Sequence, residues 1–299
     1  MRIVLVAPAL LLLLPGSGAV QRAAADEPTA REIVTQADVA YEAEDWSECA
    51  DLYARAADRG SRGIRRHAAY NAACCHAVAG EVDAAFAELD RAIEARFEDV
   101  DLLRRDTDLE SLHDDPRWEE TVARAEAEAQ AYLASINLEV RELFREDQSD
   151  RRPPEGEEID WSVVTPRDEA RRARVREMIE AQELKAAEDY YHAAMVLQHG
   201  SELEDYRLAH EMCLQAVQLD PEHTGARWLA AAALDRWLVN QDKPQRYGTQ
   251  FRKVDGVWEL CEVDPAVTDE ERAEWNVPSL AEAQARAKRM NAPAGEVGD

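Results

Sequence analysis

The chain is poor in residues that turn or break a backbone, with 12 glycines and 12 prolines among 299 positions. That leaves few turns, and with Ala, Leu, Glu and Arg abundant it favours helix. Basic residues are scarce too: 35 Lys+Arg face 62 Asp+Glu, a formal net charge of −27. Such a surface repels phosphate backbones and anionic lipid, so neither nucleic acid nor a membrane surface is expected as a partner. There is no Cys-x-x-Cys, which argues against a redox enzyme or a zinc ribbon. There is no Gly-x-Ser-x-Gly elbow to carry a nucleophile, and no His-x-x-x-His pair for a tight metal site. No cofactor-binding motif is present, and none is expected to be needed. Long hydrophobic runs are missing as well. The apolar stretch Ile3 to Leu14, broken by Pro8, is about 12 residues, short of the roughly 20 that span a bilayer.

What remains is a chain with a real core. A hydrophobic content of 46% excludes global disorder, and 32% charged residues implies broad solvated helix faces. The length suits about two domains. Met1-Arg2, the apolar run, and the small residues Ser17-Gly18-Ala19 or Ala23-Ala24-Ala25 have the order of a cleaved signal peptide, here residues 1–25. The expected protein is exported, periplasmic or secreted, with no membrane span after cleavage. Five cysteines, an odd number without framework spacing, suggest small hydrophobes rather than disulfides. Cys49, Cys74 and Cys75 lie among alanines in helical patterns.

Ala37, Trp46, Tyr53 and Ala56 follow a helix-turn-helix spacing, and Ala73, Gly80, Val82, Ala85, Leu89 and Ala92 occupy matching places about 36 residues on. Small residues on one helix let the next approach closely, and a large residue fills the gap. These positions resemble the tetratricopeptide repeat, which implies a stacked scaffold that binds protein or peptide. Asp106, Asp108, Asp114 and Asp115 follow. They lack the glycine and closing glutamate of a calcium loop and are expected to cap helices.

Trp118 to Phe144 is expected as one long helix, and Asp150 to Arg167, with Pro153, Pro154, Gly156 and Pro166, as a loop tacked down by Trp161, Val163 and Val164. Asp168 to Ile179 resumes helix with arginines on a solvated face. His192 and His199 fall seven apart on one helix. Tyr206, Ala209, Cys213 and Ala216 repeat the earlier pattern, and Gly225 to Leu238 starts another pair whose second helix never arrives. The polar run Gln241–Gln250 takes its place. Asp255-Gly256 marks a hairpin, Thr268 caps a helix, and Ser279 to Met290 forms the last one. The fold class is therefore all-α: a tetratricopeptide-like scaffold at 26–135, then a second helical, repeat-like domain at 136–292 with a small hairpin. Residues 293–299 are expected to be a disordered tail.

Asp147-Gln148 with Arg151, Gln198-His199, Asp235-Arg236, the run Pro244 to Gln250, Asp264 and Asp269 to Arg272 resemble a bacterial domain family of unknown function with a Gln-x-Tyr-Gly-Thr-Gln run. The resemblance covers about residues 136–290 and implies a domain boundary and a candidate site, not a reaction. The ligand-binding candidates are Asp147, Gln148, Arg151, His199, Asp235, Arg236, Gln245, Tyr247, Thr249 and Gln250. In this reading His199 titrates, Asp235 or Asp147 orients it, and Arg236 or Arg246 meets an anion. Gly248 lets backbone amides approach a ligand. The competing reading is a structural polar network in which Gln245 and Gln250 satisfy backbone groups. A metal held by His199, His210 and Asp235 is not expected. Tyr190, Tyr191, Trp228 and Trp237 read as core rather than as an aromatic cleft. The leading function is a binding scaffold for a basic protein or peptide; the rival is an enzyme or small-ligand receptor at the polar loop.

Overall fold

Side-chain caps start several of this chain's helices. In the computed structural model, which describes residues 28–154 and 156–292, Thr29 closes a capping box with Glu32 and starts α1 (Ala30–Glu42). Asp45 opens α2 (Trp46–Arg59), and α3 (Arg62–Val78) and α4 (Val82–Glu94) follow. Asp99 caps α5 (Val100–Arg105), and Asp106 caps a 3-10 turn (Thr107–Leu112). Asp106 therefore caps as the sequence suggested and Asp115 accepts the Arg117 amide, whereas Asp108 accepts the Tyr41 hydroxyl instead, and the cap at Asp99 was not anticipated. α6 (Arg117–Ser135) completes the first group.

The expected long helix through Phe144 does not form. It breaks at Ile136-Asn137, where the Asn137 side chain accepts from the Glu139 and Val140 amides and its own N–H reaches Asp189 Oδ1 at 2.7 Å. A cap anchored from another helix overrides local helix propensity. Next come α7 (Leu138–Asp150) and α8 (Trp161–Glu180). Helix α8 begins six residues before the expected end of the loop and carries Pro166 inside it, with Asp160 as its cap. Trp161 and Val163 are exposed, so only Val164 ties this segment to the core. α9 (Ala187–Leu197) stops before His199, which separates His192 and His199 into helix and loop. α10 (Leu203–Leu219) and α11 (Thr224–Val239) pack as neighbours. The chain ends in β1 (Phe251–Val254), β2 (Val257–Leu260), α12 (Asp269–Glu274) and α13 (Leu280–Met290), the two helices capped by Thr268 and Ser279. Among the described residues the protein is all-α apart from this antiparallel hairpin, in which Phe251 pairs with Leu260. Its turn places Asp255 and Gly256 at φ 48° and 87°, the left-handed pair a two-residue hairpin loop requires.

Two cores result. The first runs from Ile33 to Ala125 and is built largely on alanine, with Ala56, Ala69, Ala72 and Ala73 fully buried where α2 and α3 meet. The second gathers Val140, Val175, Leu197, Cys213 and Leu229, with a small satellite around Tyr247 and Val277. Cys49 and Cys75 are disulfide-bonded, Cα atoms 6.1 Å apart, which corrects their reading as separate thiols. The facing of α2 and α3, not sequence spacing, brings them together. Cys74, Cys213 and Cys261 are buried thiols. Arg171 and Arg172 are buried rather than solvated, because Asp150, Asp168 and Asp205 meet them. The halves touch through ion pairs, Arg62 with Asp220 at 2.6 Å and Arg141 with Glu98 at 2.8 Å. No helix of the described residues is long and apolar enough to cross a membrane. The signal-peptide and tail assignments fall outside the described residues.

Candidate functional site

The missing second helix after α11 leaves Asp235, at 0% exposure, facing the loop that replaces it. The Arg246, Tyr247 and Thr249 amides all donate to its carboxylate, at 2.8, 3.0 and 3.0 Å, and the Thr249 hydroxyl adds a bond of 2.8 Å. Gly248, at φ 87°, bends the backbone so that these amides converge. The convergence was legible from the glycine. Its object was not: the anion these amides hold is the protein's own Asp235.

Gln245 completes the loop. Its side-chain nitrogen donates to the Gln250 and Cys261 carbonyls, both at 3.0 Å, while its side-chain oxygen accepts the Gln250 amide at 2.8 Å. Tyr247 is buried, and burial raises its hydroxyl pKa. Below it the Arg272 guanidinium donates to the Tyr247 carbonyl at 3.1 Å and the Val267 carbonyl at 2.9 Å.

Arg236 leaves α11 on the neighbouring face. Its guanidinium donates to the Gln198 carbonyl at 2.7 Å and the Gln250 side-chain oxygen at 3.2 Å, and lies over the Tyr206 ring. Burial without a carboxylate partner lowers its pKa. His199, next to Gln198, turns the other way and shares its Nδ1 hydrogen bond with Asp147 at 2.9 Å. Asp147, fully buried, also accepts from the Gln148 amide at 2.9 Å and from Arg151 at 2.9 Å. Arg151 then spans to Asp168 at 2.6 Å.

The ten predicted residues fall in two hydrogen-bonded groups, Asp147, Gln148, Arg151 and His199 in one and Asp235, Arg236, Gln245, Tyr247, Thr249 and Gln250 in the other, which adjoin where Arg236 holds the carbonyl of Gln198, the residue before His199. The orienter of His199 is Asp147, and Asp235 serves the loop. His210 binds the Ala230 carbonyl at 2.8 Å, so His199, His210 and Asp235 are spent on three different partners. Arg246 pairs with Glu271 at 2.6 Å. Trp228 is exposed rather than core. Nearly every polar atom in these groups is satisfied from within, the signature of a network that holds a loop in place.

The open space lies elsewhere. Two adjoining cavities, about 240 Å³ each, share Glu98 and Ala129 and run between the end of α4, α5 and the face of α6. Ile93, Phe97, Tyr132 and Leu133 supply apolar surface. Carboxylates dominate the rim: Glu94, Glu98 and Glu128 line one cavity, Asp99, Asp101 and Glu126 the other, against Arg96 and Arg104. Glu98 is held by Arg141, and Glu126 by Arg104 at 2.7 Å. Among the described residues Glu94, Asp101 and Glu128 form no ion pair. Sequence reasoning missed this groove, because its walls come from three helices whose acids look like ordinary solvated faces. One signal was available. Arg96 occupies the left-handed position after α4, φ 68°, where glycine is usual. Its guanidinium sits 5.5 Å from the Tyr132 ring at the groove edge and 3.6 Å from Glu188 of α9. No family model, curated protein or solved structure matches the chain.

Proposed function

We propose that this protein is an exported helical-repeat scaffold, tetratricopeptide-like over residues 26–135, that binds a basic protein or peptide segment. The observation that carries the reading is the groove along α6, on whose rim Glu94, Asp101 and Glu128 have no cation partner among the described residues. A lysine or arginine side chain laid there gains a carboxylate while its methylenes lie along Tyr132 and Leu133. Stacked helix pairs supply such surfaces because each pair buries only one face against its neighbour. The Cys49–Cys75 disulfide suits the oxidising compartment to which a signal peptide would deliver the chain. The rival reading, a small-ligand or catalytic site at His199 and the Gln245–Gln250 loop, is weaker because that loop's amides are already spent on Asp235.

The test is binding of a lysine- and arginine-rich peptide, followed by fluorescence anisotropy at two salt concentrations. Affinity should fall as salt rises, and the double variant Glu94→Lys, Glu128→Lys should weaken binding by about tenfold or more. Binding that is indifferent to salt and to the double variant, or preference for an acidic peptide, defeats the reading.

A further inference from the structure

One cluster takes no part in the groove or in the loop network. Cys74 of α3, 4% exposed, points its sulfur at the start of the 3-10 turn, 3.8 Å from Asp106 Oδ2. The Asp108 carboxylate closes the group: one ligand atom from each of the three residues lies within 4.8 Å of the others.

The electrostatics there differ from those of the arginine-held carboxylates of the second half. Asp147, Asp168 and Asp205 each sit against an arginine. Among the described residues neither Asp106 nor Asp108 forms an ion pair. They are steadied by neutral donors instead: the Tyr70 hydroxyl gives its hydrogen to Asp106 Oδ2 at 2.7 Å, and the Tyr41 hydroxyl to Asp108 Oδ2 at 2.7 Å. The Asp108 amide holds Asp106 Oδ1 at 3.1 Å. Oriented carboxylates with phenols behind them have the form of metal ligands with a supporting shell. The buried thiol is directed into the cluster, donating to Asp106 Oδ2 and touching the Tyr70 hydroxyl.

We propose that Cys74, Asp106 and Asp108 bind a divalent cation of the zinc class, with water completing a four-coordinate shell. A thiolate and two carboxylates are a borderline donor set that suits zinc. Calcium and magnesium require more oxygens and no sulfur. Tetrahedral ligands at zinc–sulfur and zinc–oxygen bond lengths stand about 3.6 Å apart, close to the observed 3.8 Å between Cys74 Sγ and Asp106 Oδ2. Binding forms a sulfur–metal bond and breaks the S–H bond, releasing that proton to solvent, with no change in oxidation state. The cation would tie α1, through Tyr41, and α3 to the 3-10 turn.

Cobalt(II) is the probe, titrated into the disulfide-intact full chain. One cation per chain should bind with a near-ultraviolet thiolate-to-cobalt charge-transfer band, release about one proton, and be displaced by zinc. Cys74→Ser should abolish the band, while Cys213→Ser and Cys261→Ser keep it. Because Cys74 is buried, Asp108→Asn is the second variant. It should fold as the parent does by circular dichroism and weaken cobalt binding about tenfold or more. A parent chain that shows no band at saturating cobalt overturns the proposal, as does a band that survives Cys74→Ser or an affinity unchanged by Asp108→Asn.

Discussion

The two halves of this molecule are both built of helices packed against their neighbours in sequence, yet they cohere differently. Up to Ser135 the buried residues are almost all apolar, with Glu88 and Thr121 the buried polar side chains among the described residues. Beyond Asn137 the interior holds Asp147, Asp168, Arg171, Arg172, Asp189, Asp205, Asp235, Gln245 and Arg272. Alanine faces in the first half let helices approach closely and need little orientation, because dispersion and burial are non-directional. The second half has longer loops in place of helices, and each exposes backbone groups that only a directed side chain can satisfy. Asp189 shows the rule: its carboxylate accepts the Asn137, Lys185 and Ala186 amides and joins three segments. The difference teaches that the polar residues of the second half are chiefly its joinery.

The largest test of that contrast is Asp235→Ala. It strands three loop amides and a hydroxyl in a buried setting and should cost about 3–5 kcal/mol in urea denaturation. Glu88→Ala, in the dry half, loses its pair with Arg91, which is half-exposed and keeps Asp58, and should cost far less. Similar losses for the two variants would erase the distinction.

Next comes the disulfide, which belongs to the first half alone. Replacing Cys49 and Cys75 by alanine removes a cross-link over 26 residues of sequence and should cost about 3 kcal/mol. The change should lower the midpoint for the first half and leave tryptophan signals from Trp237 and Trp275 untouched at mild denaturant. Co-operative loss of both signals would show that the junction ion pairs fuse the halves into one unit.

The smallest effect is acid sensitivity, expected from the second half. Burial against Phe144 lowers the His192 pKa to about 4 from 6.5, with Glu188 opposing. A base whose folded pKa is depressed takes up its proton more readily when unfolded, so stability falls as pH drops from 6.5 toward 4. At pH 5 the loss relative to neutral should be about 2 kcal/mol. His192→Leu should flatten the melting temperature across that window; an unchanged slope would place the sensitivity in the carboxylates instead.

Element ends were legible where Thr268 and Ser279 cap within their own turn and where Asp255-Gly256 turns a hairpin, but not at Asp99 or Asp160, which cap in the same way. Polar residues that interrupt helices stood out in the sequence, but neither their division into two groups nor their wiring did. His199 finds Asp147 across 52 positions, and the Gly248 turn receives Asp235 rather than a ligand. The break at Asn137, the burial of Arg171, the Cys49–Cys75 bond and the groove beside Tyr132 each depend on a partner from another helix. Local conformational preference is a short-range property of backbone and side-chain sterics, so the sequence alone determined the helical class, most of the helices and the acidic surface. Which charges are buried, which thiols join and where a cavity opens are set by how those helices stack, a sum of long-range contacts that only the tertiary structure decides.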